Sequence, residues 1–158
     1  MISVIKPWLG SCTGGHRSTT MSKIPVLVID DDSDARTLLE LALSVEGFAV
    51  QCAVNGADAL RVARRWRPDV ILLDLAMPVM DGYAFRAAQL LDPILASIPV
   101  ICVSGRHDAE QAARELQLAG CVPKPFALGE LIRRVQDLVR RSCVRSTAPP
   151  DPAPSTAV

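Results

Sequence analysis

The sequence predicts an α/β protein with a doubly wound parallel sheet of five strands and helices on both faces. Two observations lead to this fold class. Short apolar runs alternate five times with segments whose apolar residues recur at helical spacing, as expected when each helix returns the chain to the next parallel strand. Residues with ionisable or hydroxyl side chains also follow four of the five runs. Because parallel strands all end at one edge of a sheet, these side chains are expected to lie close together.

The composition is that of one folded domain. The chain has 158 residues, of which 49% are hydrophobic. Its 17 basic and 17 acidic side chains cancel, which argues against a whole-chain preference for nucleic acid or an anionic membrane. Five cysteines without a Cys-x-x-Cys spacing fit reduced thiols, and no apolar run reaches the roughly 18 residues that span a bilayer. We expect a cytoplasmic protein.

Three segments are expected along the chain. Residues 1–22 have no periodicity and are rich in Ser, Thr and Gly, which predicts a disordered extension, with Met21 as an alternative start. Residues 23–142 form the folded domain. Residues 143–158 are rich in Pro and Ala and predict a disordered tail.

The first strand and helix flank a run of acids. Residues 26–29 are apolar and predict a strand, and three aspartates follow at residues 30–32. Ser33 or Asp34 is the predicted N-cap of the first helix, and Gly47 ends it. The apolar residues of this helix recur at helical spacing: Leu38, Leu39, Leu41, Ala42 and Val45.

The second unit repeats the order of strand and helix. Residues 48–54 predict a strand, Asn55-Gly56 a turn and residues 57–66 an amphipathic helix. Arginines on the outer face of this helix are interpreted as a solvated surface: Arg61, Arg64 and Arg65.

The stretch over residues 70–82 organises the rest of the chain. Four apolar residues at 70–73 are typical of a strand buried on both faces, and Asp74 stands at its C-terminal end. Pro78 and Asp81-Gly82 then force a loop. A carboxylate in this position lies where open α/β sheets place their ligands.

The remaining elements alternate in the same way. They are a helix over 83–91, a connection over 93–99, a strand over 100–103 that ends in Ser104, a helix over 108–118 closed by Gly120, a strand over 121–123 that precedes Lys124, and a helix over 128–139.

These elements bring five functional residues to one crevice: Asp30, Asp31, Asp74, Ser104 and Lys124. Neighbouring carboxylates resist ionisation unless a cation neutralises them, and Mg²⁺ suits a shallow site of oxygen ligands. A lysine ammonium and a hydroxyl meet the opposite needs of a phosphoryl group. Together the groups favour a carboxylate that acts as a nucleophile toward phosphorus.

Four motifs occur in order along the chain: Val-Ile-Asp-Asp-Asp, Leu-Leu-Asp-Leu-Ala-Met-Pro-Val-Met-Asp-Gly, Val-Ser-Gly and Pro-Lys-Pro-Phe. Together they resemble the receiver domain of bacterial two-component response regulators over residues 24–141. The resemblance implies the flavodoxin-like strand order 2-1-3-4-5 and a cis bond between Lys124 and Pro125.

The resemblance also implies a role for each predicted site residue. Asp74 would be phosphorylated by a histidine kinase or histidine phosphotransfer protein, with Ser104 as the switch hydroxyl and Lys124 as the phosphoryl-binding lysine. A stand-alone receiver of this kind is expected to be a monomer or weak homodimer that binds neither nucleic acid nor membrane directly. It is not expected to be an enzyme beyond its own phosphoryl transfer and slow autodephosphorylation.

A magnesium site completes what the resemblance implies. Asp31, Asp74 and the backbone carbonyl of Ala76 would be Mg²⁺ ligands, and Asp30 would act as an acid through water.

Cys121 departs from the family pattern, which usually has an aromatic residue three positions before the lysine. A thiol is too small to fill the space that an inward-swinging ring would fill. The stretch between Ser104 and Lys124 is also slightly short. These departures predict a weak conformational switch, better suited to phosphotransfer or constitutive partner binding than to a large output change.

Two alternatives remain open at the level of sequence. A Mg²⁺-dependent phosphohydrolase with an aspartyl nucleophile uses a similar sheet, but it needs a second acid two residues after the nucleophile, where this chain has Ala76. A degenerate receiver could act only as an interaction module. Cys121 leaves that reading open, whereas the intact acids, Ser104 and Lys124 speak against it.

Overall fold

The computed structural model describes residues 23–146, which form a five-stranded parallel sheet in the order β2-β1-β3-β4-β5. The elements, in chain order, are β1 Pro25–Ile29, α1 Ser33–Val45, β2 Ala49–Ala53, α2 Gly56–Trp66, β3 Val70–Leu73, α3 Gly82–Leu91, β4 Val100–Ser104, α4 Ala109–Glu115, β5 Gly120–Pro123 and α5 Leu128–Ser146. The predicted fold class and strand order are confirmed. Residues 1–22 and 147–158, which carry most of the predicted disorder, lie outside the described residues.

The sheet divides the core into two layers because successive residues of a strand point to opposite faces. In β1, Leu27 and Ile29 pack in the layer beneath α2, α3 and α4. Val26 and Val28 pack in the other layer, beneath α1 and α5. The central strands β3 and β4 are buried along their whole length, as the continuous apolar runs predicted.

Fewer of the apolar residues of α1 are buried than the sequence indicated. Leu39 and Leu43 are buried, but Leu38, Leu41 and Val45 are 55%, 64% and 76% exposed. A helix turns by about 100° per residue, so residues 39 and 43 share one face while 38, 41 and 45 form a separate stripe. The apolar residues of α1 therefore lie on two faces of the helix, and only one of these faces packs against the sheet.

Three helix boundaries differ from the prediction. Asp32, rather than Ser33 or Asp34, caps α1, because its carboxylate accepts the N–H groups of Asp34 and Ala35. Helix α4 ends at Glu115 instead of continuing to residue 118, since Gln117 has a φ of 52°. Helix α5 continues to Ser146, beyond the end predicted at residue 139.

The described residues contain no helix that combines the length and apolarity needed to cross a bilayer.

Gly82, at the start of α3, lets this helix approach the chain that leaves β3. A Cβ at this position would lie 2.6 Å from the carbonyl oxygen of Asp74 and 2.8 Å from the Cα of Leu75. The Gly82 N–H donates to the Leu75 carbonyl at 3.2 Å. Backbone atoms cannot yield as a flexible side chain can, so only glycine fits here.

Replacing this glycine is expected to destabilise the domain. We expect Gly82→Ala to lower the free energy of unfolding by about 1–3 kcal/mol, the usual cost of overpacking a close contact. Gly129→Ala is the matched control, since a Cβ at Gly129 in α5 meets nothing within 4 Å. Urea unfolding of both variants checks the expectation. Equal stability of the two would contradict it.

Candidate functional site

The candidate site lies at the carboxyl edge of the sheet, where the predicted residues follow four parallel strands. Asp30 follows β1, Asp74 follows β3, Ser104 ends β4 and Lys124 follows β5. Asp30, Asp74 and Ser104 are 2%, 8% and 1% exposed, so their side chains are largely removed from water. Burial of this kind requires partners for each polar group.

The three predicted acids form one cluster. Asp30, Asp31 and Asp74 each offer a carboxylate oxygen, and these oxygens lie within 4.8 Å of one another. Asp31 is exposed, which leaves the cluster open to solvent on one side. The second Asp74 oxygen, Oδ1, accepts the Ala76 N–H at 3.3 Å. Such a group of oxygens could hold a divalent cation of the hard kind, of which Mg²⁺ is one.

Lys124 supplies the positive charge of the site. Its Nζ donates to Oδ2 of Asp30 at 2.6 Å and to Oδ2 of Asp74 at 3.3 Å. Burial alone would lower the pKa of Lys124, but the hydrogen bond from its ammonium to Asp30 and the charge of Asp74 outweigh burial and raise the pKa above its ordinary value. The lysine is therefore a fixed cation between two buried carboxylates.

Ser104 stands beside this cluster without joining it directly. Its hydroxyl oxygen accepts the Arg106 N–H at 3.4 Å, and its carbonyl accepts the Lys124 N–H at 2.9 Å. Among the described residues it makes no hydrogen bond to Asp74 or to the Lys124 ammonium. The hydroxyl therefore lies at the predicted edge of the sheet, while its role stays a prediction.

Two other acids near the site have structural roles. Asp32 caps α1, and the backbone N–H groups of Asp34 and Ala35 lower its pKa. Asp81 caps α3 by accepting the Ala84 N–H at 2.8 Å. Of the three consecutive aspartates, Asp32 alone behaves as the solvated helix cap that the sequence could have indicated for all of them.

Arg36 is a supporting residue that sequence reasoning missed. Its guanidinium donates to the backbone carbonyl of Asp30 at 2.6 Å and so holds the chain at the start of the acidic turn. Arg36 lies one turn into α1, facing back toward the sheet edge. Helical spacing alone gives no signal for such a contact, because the acceptor is a backbone atom.

Cys121 and Cys102 are neighbours on β5 and β4, where the strand register places them opposite each other. Both thiols are free. Burial raises the pKa of each, so both stay protonated at neutral pH. A protonated thiol is a poor nucleophile, so neither residue has the character of a reactive cysteine. The peptide bond between Lys124 and Pro125 is cis, as the sequence resemblance implied.

The parallel order β2-β1-β3-β4-β5, with clustered acids and a lysine at its carboxyl edge, defines a flavodoxin-like receiver fold. A family model described as the response regulator receiver domain matches residues 26–136. The chain belongs to this family.

Two curated relatives agree with this assignment. The transcriptional regulatory protein PrrA of Mycobacterium leprae (strain TN) is 41% identical over 133 residues, which cover 82% of this chain and 56% of that protein. The response regulator MprA of the same organism is 35% identical over 136 residues, which cover 84% of this chain and 56% of that protein. The chain thus spans little more than half the length of these relatives.

Two solved structures share the fold. The chemotaxis protein CheY4 of Vibrio cholerae superposes with a TM-score of 0.69 and 28% identity, covering 74% of this chain and 99% of that one. A putative response regulator from Chloroflexus aurantiacus J-10-fl gives a TM-score of 0.72 and 29% identity, covering 76% and 100%. Each of these two structures matches almost all of the described residues.

Removal of the Lys124 cation is expected to destabilise the domain in a defined pH window. We expect Lys124→Met to lower the free energy of unfolding at pH 7 by about 1–3 kcal/mol, because buried acids lose a charged partner. The raised pKa of Lys124 means that the wild-type advantage is complete below the ordinary lysine value of about 10.4 and is lost as pH rises through the higher folded value.

Lys23→Met is the matched control, since Lys23 is exposed and outside the site. It should change stability by less than about 0.5 kcal/mol at any of these pH values. Urea unfolding of both variants at pH 7, 9 and 11.5 measures the difference. A deficit of Lys124→Met that is the same at pH 7 and pH 11.5 would show that packing, not charge, is responsible.

Proposed function

We propose that this chain is a receiver that accepts a phosphoryl group on Asp74 from a histidine kinase or histidine phosphotransfer protein, in a two-component or phosphorelay pathway. One observation carries the proposal: the Lys124 ammonium contacts Asp74 at 3.3 Å inside a cluster of carboxylates at the sheet edge. A carboxylate in an α/β crevice with both signs of charge around it is suited to attack phosphorus.

Each residue has a distinct part in the proposed step. A carboxylate oxygen of Asp74 forms a bond to phosphorus as the bond from phosphorus to the donor's leaving atom breaks. Lys124 then turns from the two carboxylates toward the phosphoryl oxygens, where its charge remains balanced. The Ser104 hydroxyl donates a hydrogen bond to a phosphoryl oxygen, since that hydroxyl now only accepts a long hydrogen bond from the Arg106 N–H.

The acidic cluster fits Mg²⁺ by the chemistry of its donors. Three carboxylates within 4.8 Å supply hard oxygens, and exposure of Asp31 leaves room for the waters that this ion retains. We propose Asp31, Asp74 and the Ala76 carbonyl as direct ligands, with Asp30 acting through water. Bound Mg²⁺ would screen the carboxylates and attract phosphoryl oxygens, which lowers the repulsion that Asp74 must overcome.

We further propose that the receiver acts by binding a partner protein or by passing its phosphoryl group on. The solved structures that it resembles are covered over 99% and 100% of their length, so the proposal concerns the receiver domain itself. PrrA, whose printed name describes a transcriptional regulator, is longer than the matched region. The charge balance of this chain gives it no basic excess for direct DNA binding.

Phosphorylation of Asp74 is the first test of the proposal. We expect acetyl phosphate with Mg²⁺ to add one phosphoryl group that is stable in acid and labile in base, as an acyl phosphate is. Asp74→Asn should abolish labelling, and EDTA should suppress it. Asp81→Asn is the matched control, since Asp81 lies in the same loop and an asparagine can still cap α3. Intact-mass spectrometry measures the added group.

Two results would overturn the assignment. Labelling that persists in Asp74→Asn would show that another residue carries the phosphoryl group. Full labelling in EDTA would show that the reaction does not need the metal. Absence of any labelling in the wild type, with Mg²⁺ bound, would favour a receiver that acts only as an interaction module.

Metal binding is the second test. We expect Asp31→Asn to weaken Mg²⁺ binding by at least about tenfold, since even residues outside the direct ligand set are commonly worth that factor. Asp32→Asn is the matched control, because Asp32 caps α1 and an asparagine keeps that cap. Isothermal titration calorimetry compares the two neighbours. Equal losses in both variants would contradict the assignment of Asp31 as a ligand.

A further inference from the structure

A second buried polar group lies away from the sheet edge. Within the described residues, the buried polar and charged side chains are Asp30, Asp74, Ser104, Arg86 and Gln89. The first three belong to the candidate site. Arg86 and Gln89 lie on α3 and are 7% and 0% exposed. A buried arginine needs hydrogen-bond acceptors around its guanidinium, because its charge is costly to remove from water.

Arg86 uses all three of its nitrogens. Its Nε donates to the Leu116 carbonyl at 3.1 Å, and one terminal nitrogen donates to the Gln117 carbonyl at 3.0 Å. The other terminal nitrogen donates to Oε1 of Gln89 at 2.8 Å. Leu116 is the C-cap of α4, and Gln117 is the next residue. Arg86 therefore binds the carbonyls just past the C-terminal end of α4, where a positive charge also complements the helix dipole.

Gln89 extends this group to the chain before β4. Its Nε2 donates to the carbonyls of Leu95 and Ile98, both at 2.9 Å. With Arg86 it joins three parts of the fold: the end of α3, the connection into β4 and the end of α4. We call Arg86, Gln89 and the carbonyls they bind the α4 clamp.

Among the described residues, no buried side chain donates hydrogen bonds to the opposite, N-terminal end of α4. Asp108 is the N-cap, but its side chain makes no hydrogen bond to the helix. Its carboxylate instead pairs with the Arg106 guanidinium at 2.8 and 2.9 Å, and both side chains are partly exposed. This pairing lies inside the loop that begins at Ser104. The side-chain hydrogen bonds at the two ends of α4 thus differ. Those at the C-terminal end are buried, whereas the N-terminal end has an exposed ion pair beside the buried Ala109.

We propose that Arg86 is a positioning residue that fixes the C-terminal end of α4 to α3, so that the response to phosphorylation of Asp74 is confined to the β4–α4 loop and the first turn of α4. The proposal rests on the proposed function for its signalling consequence. The clamp itself is a property of the unphosphorylated fold. Movement of Ser104 toward a phosphoryl group pulls directly on residues 105–108, whereas residues 116–118 are anchored by contacts that this movement does not touch.

Amide hydrogen exchange tests the clamp without any phosphoryl group. The amides of Leu116, Gln117 and Leu118 donate to carbonyls within α4. Arg86→Met should speed their exchange by at least about tenfold, because bonds from a charged donor are among the stronger ones. Arg114→Met is the matched control, since Arg114 lies in the last turn of the same helix but is exposed. Unchanged exchange in Arg86→Met would overturn the proposal.

A conservative variant separates positioning from general stability. Arg86→Lys keeps the charge but cannot span two carbonyls and Gln89 at once, so its exchange rates should lie between wild type and Arg86→Met. Exchange at the amides of α1, across the sheet, should be the same in all three proteins. Equal acceleration throughout the domain would mean that Arg86 only supports global stability, which contradicts the proposal.

The signalling consequence is measured with beryllofluoride, a phosphoryl mimic, in the presence of Mg²⁺. In the wild type, NMR shift changes should be large for residues 104–108 and small for residues 116–118. In Arg86→Met they should spread along α4. Comparable changes at both ends of α4 in the wild type would overturn the proposal, even if the variant does not fold.

The same spectra keep the two proposals distinguishable. Absence of shift changes at Asp74 and Ser104 would count against the proposed function, while hydrogen exchange would still decide whether Arg86 holds α4.

Discussion

The site depends on the contact of one lysine with two buried carboxylates that lie close together. Asp30 and Asp74 are buried at the ends of adjacent strands, where their charges repel each other strongly. Lys124 offsets this repulsion by contacting both, and it reaches them because β5 ends at the same edge of the sheet. The parallel sheet thus brings together carboxylates that are far apart in the chain, and the lysine offsets the repulsion between them.

The same contacts bear on the proposed phosphoryl transfer. In that reaction an ammonium already held between carboxylates would move only a short way to meet phosphoryl oxygens, so little reorganisation would be needed. The neighbouring structure fixes the carboxylates in place: Arg36 binds the chain at Asp30, and Gly82 lets α3 pack against the chain at Asp74. The acidic cluster is thus supported on one side, while the exposed Asp31 leaves its other side open to solvent.

Much of the fold was readable from short-range patterns. Continuous apolar runs such as residues 70–73 identify strands buried on both faces, and alternation with helical segments permits few sheet topologies. The carboxyl-edge rule then places Asp30, Asp74 and Lys124 together without knowledge of any contact. The exact strand order came from the resemblance of four motifs, since periodicity alone leaves the order of parallel strands open.

The sequence by itself therefore determined the fold class, the polarity of the strands and the residues at their ends. Only the tertiary structure decided which α1 leucines are buried, that Asp32 rather than Ser33 caps α1, and that Arg86 holds the end of α4. The physical reason is the range of the interactions. Strand and helix signals repeat within a few residues, whereas Arg86 bonds to carbonyls about thirty positions away, and backbone acceptors carry no side-chain signature that a sequence could display.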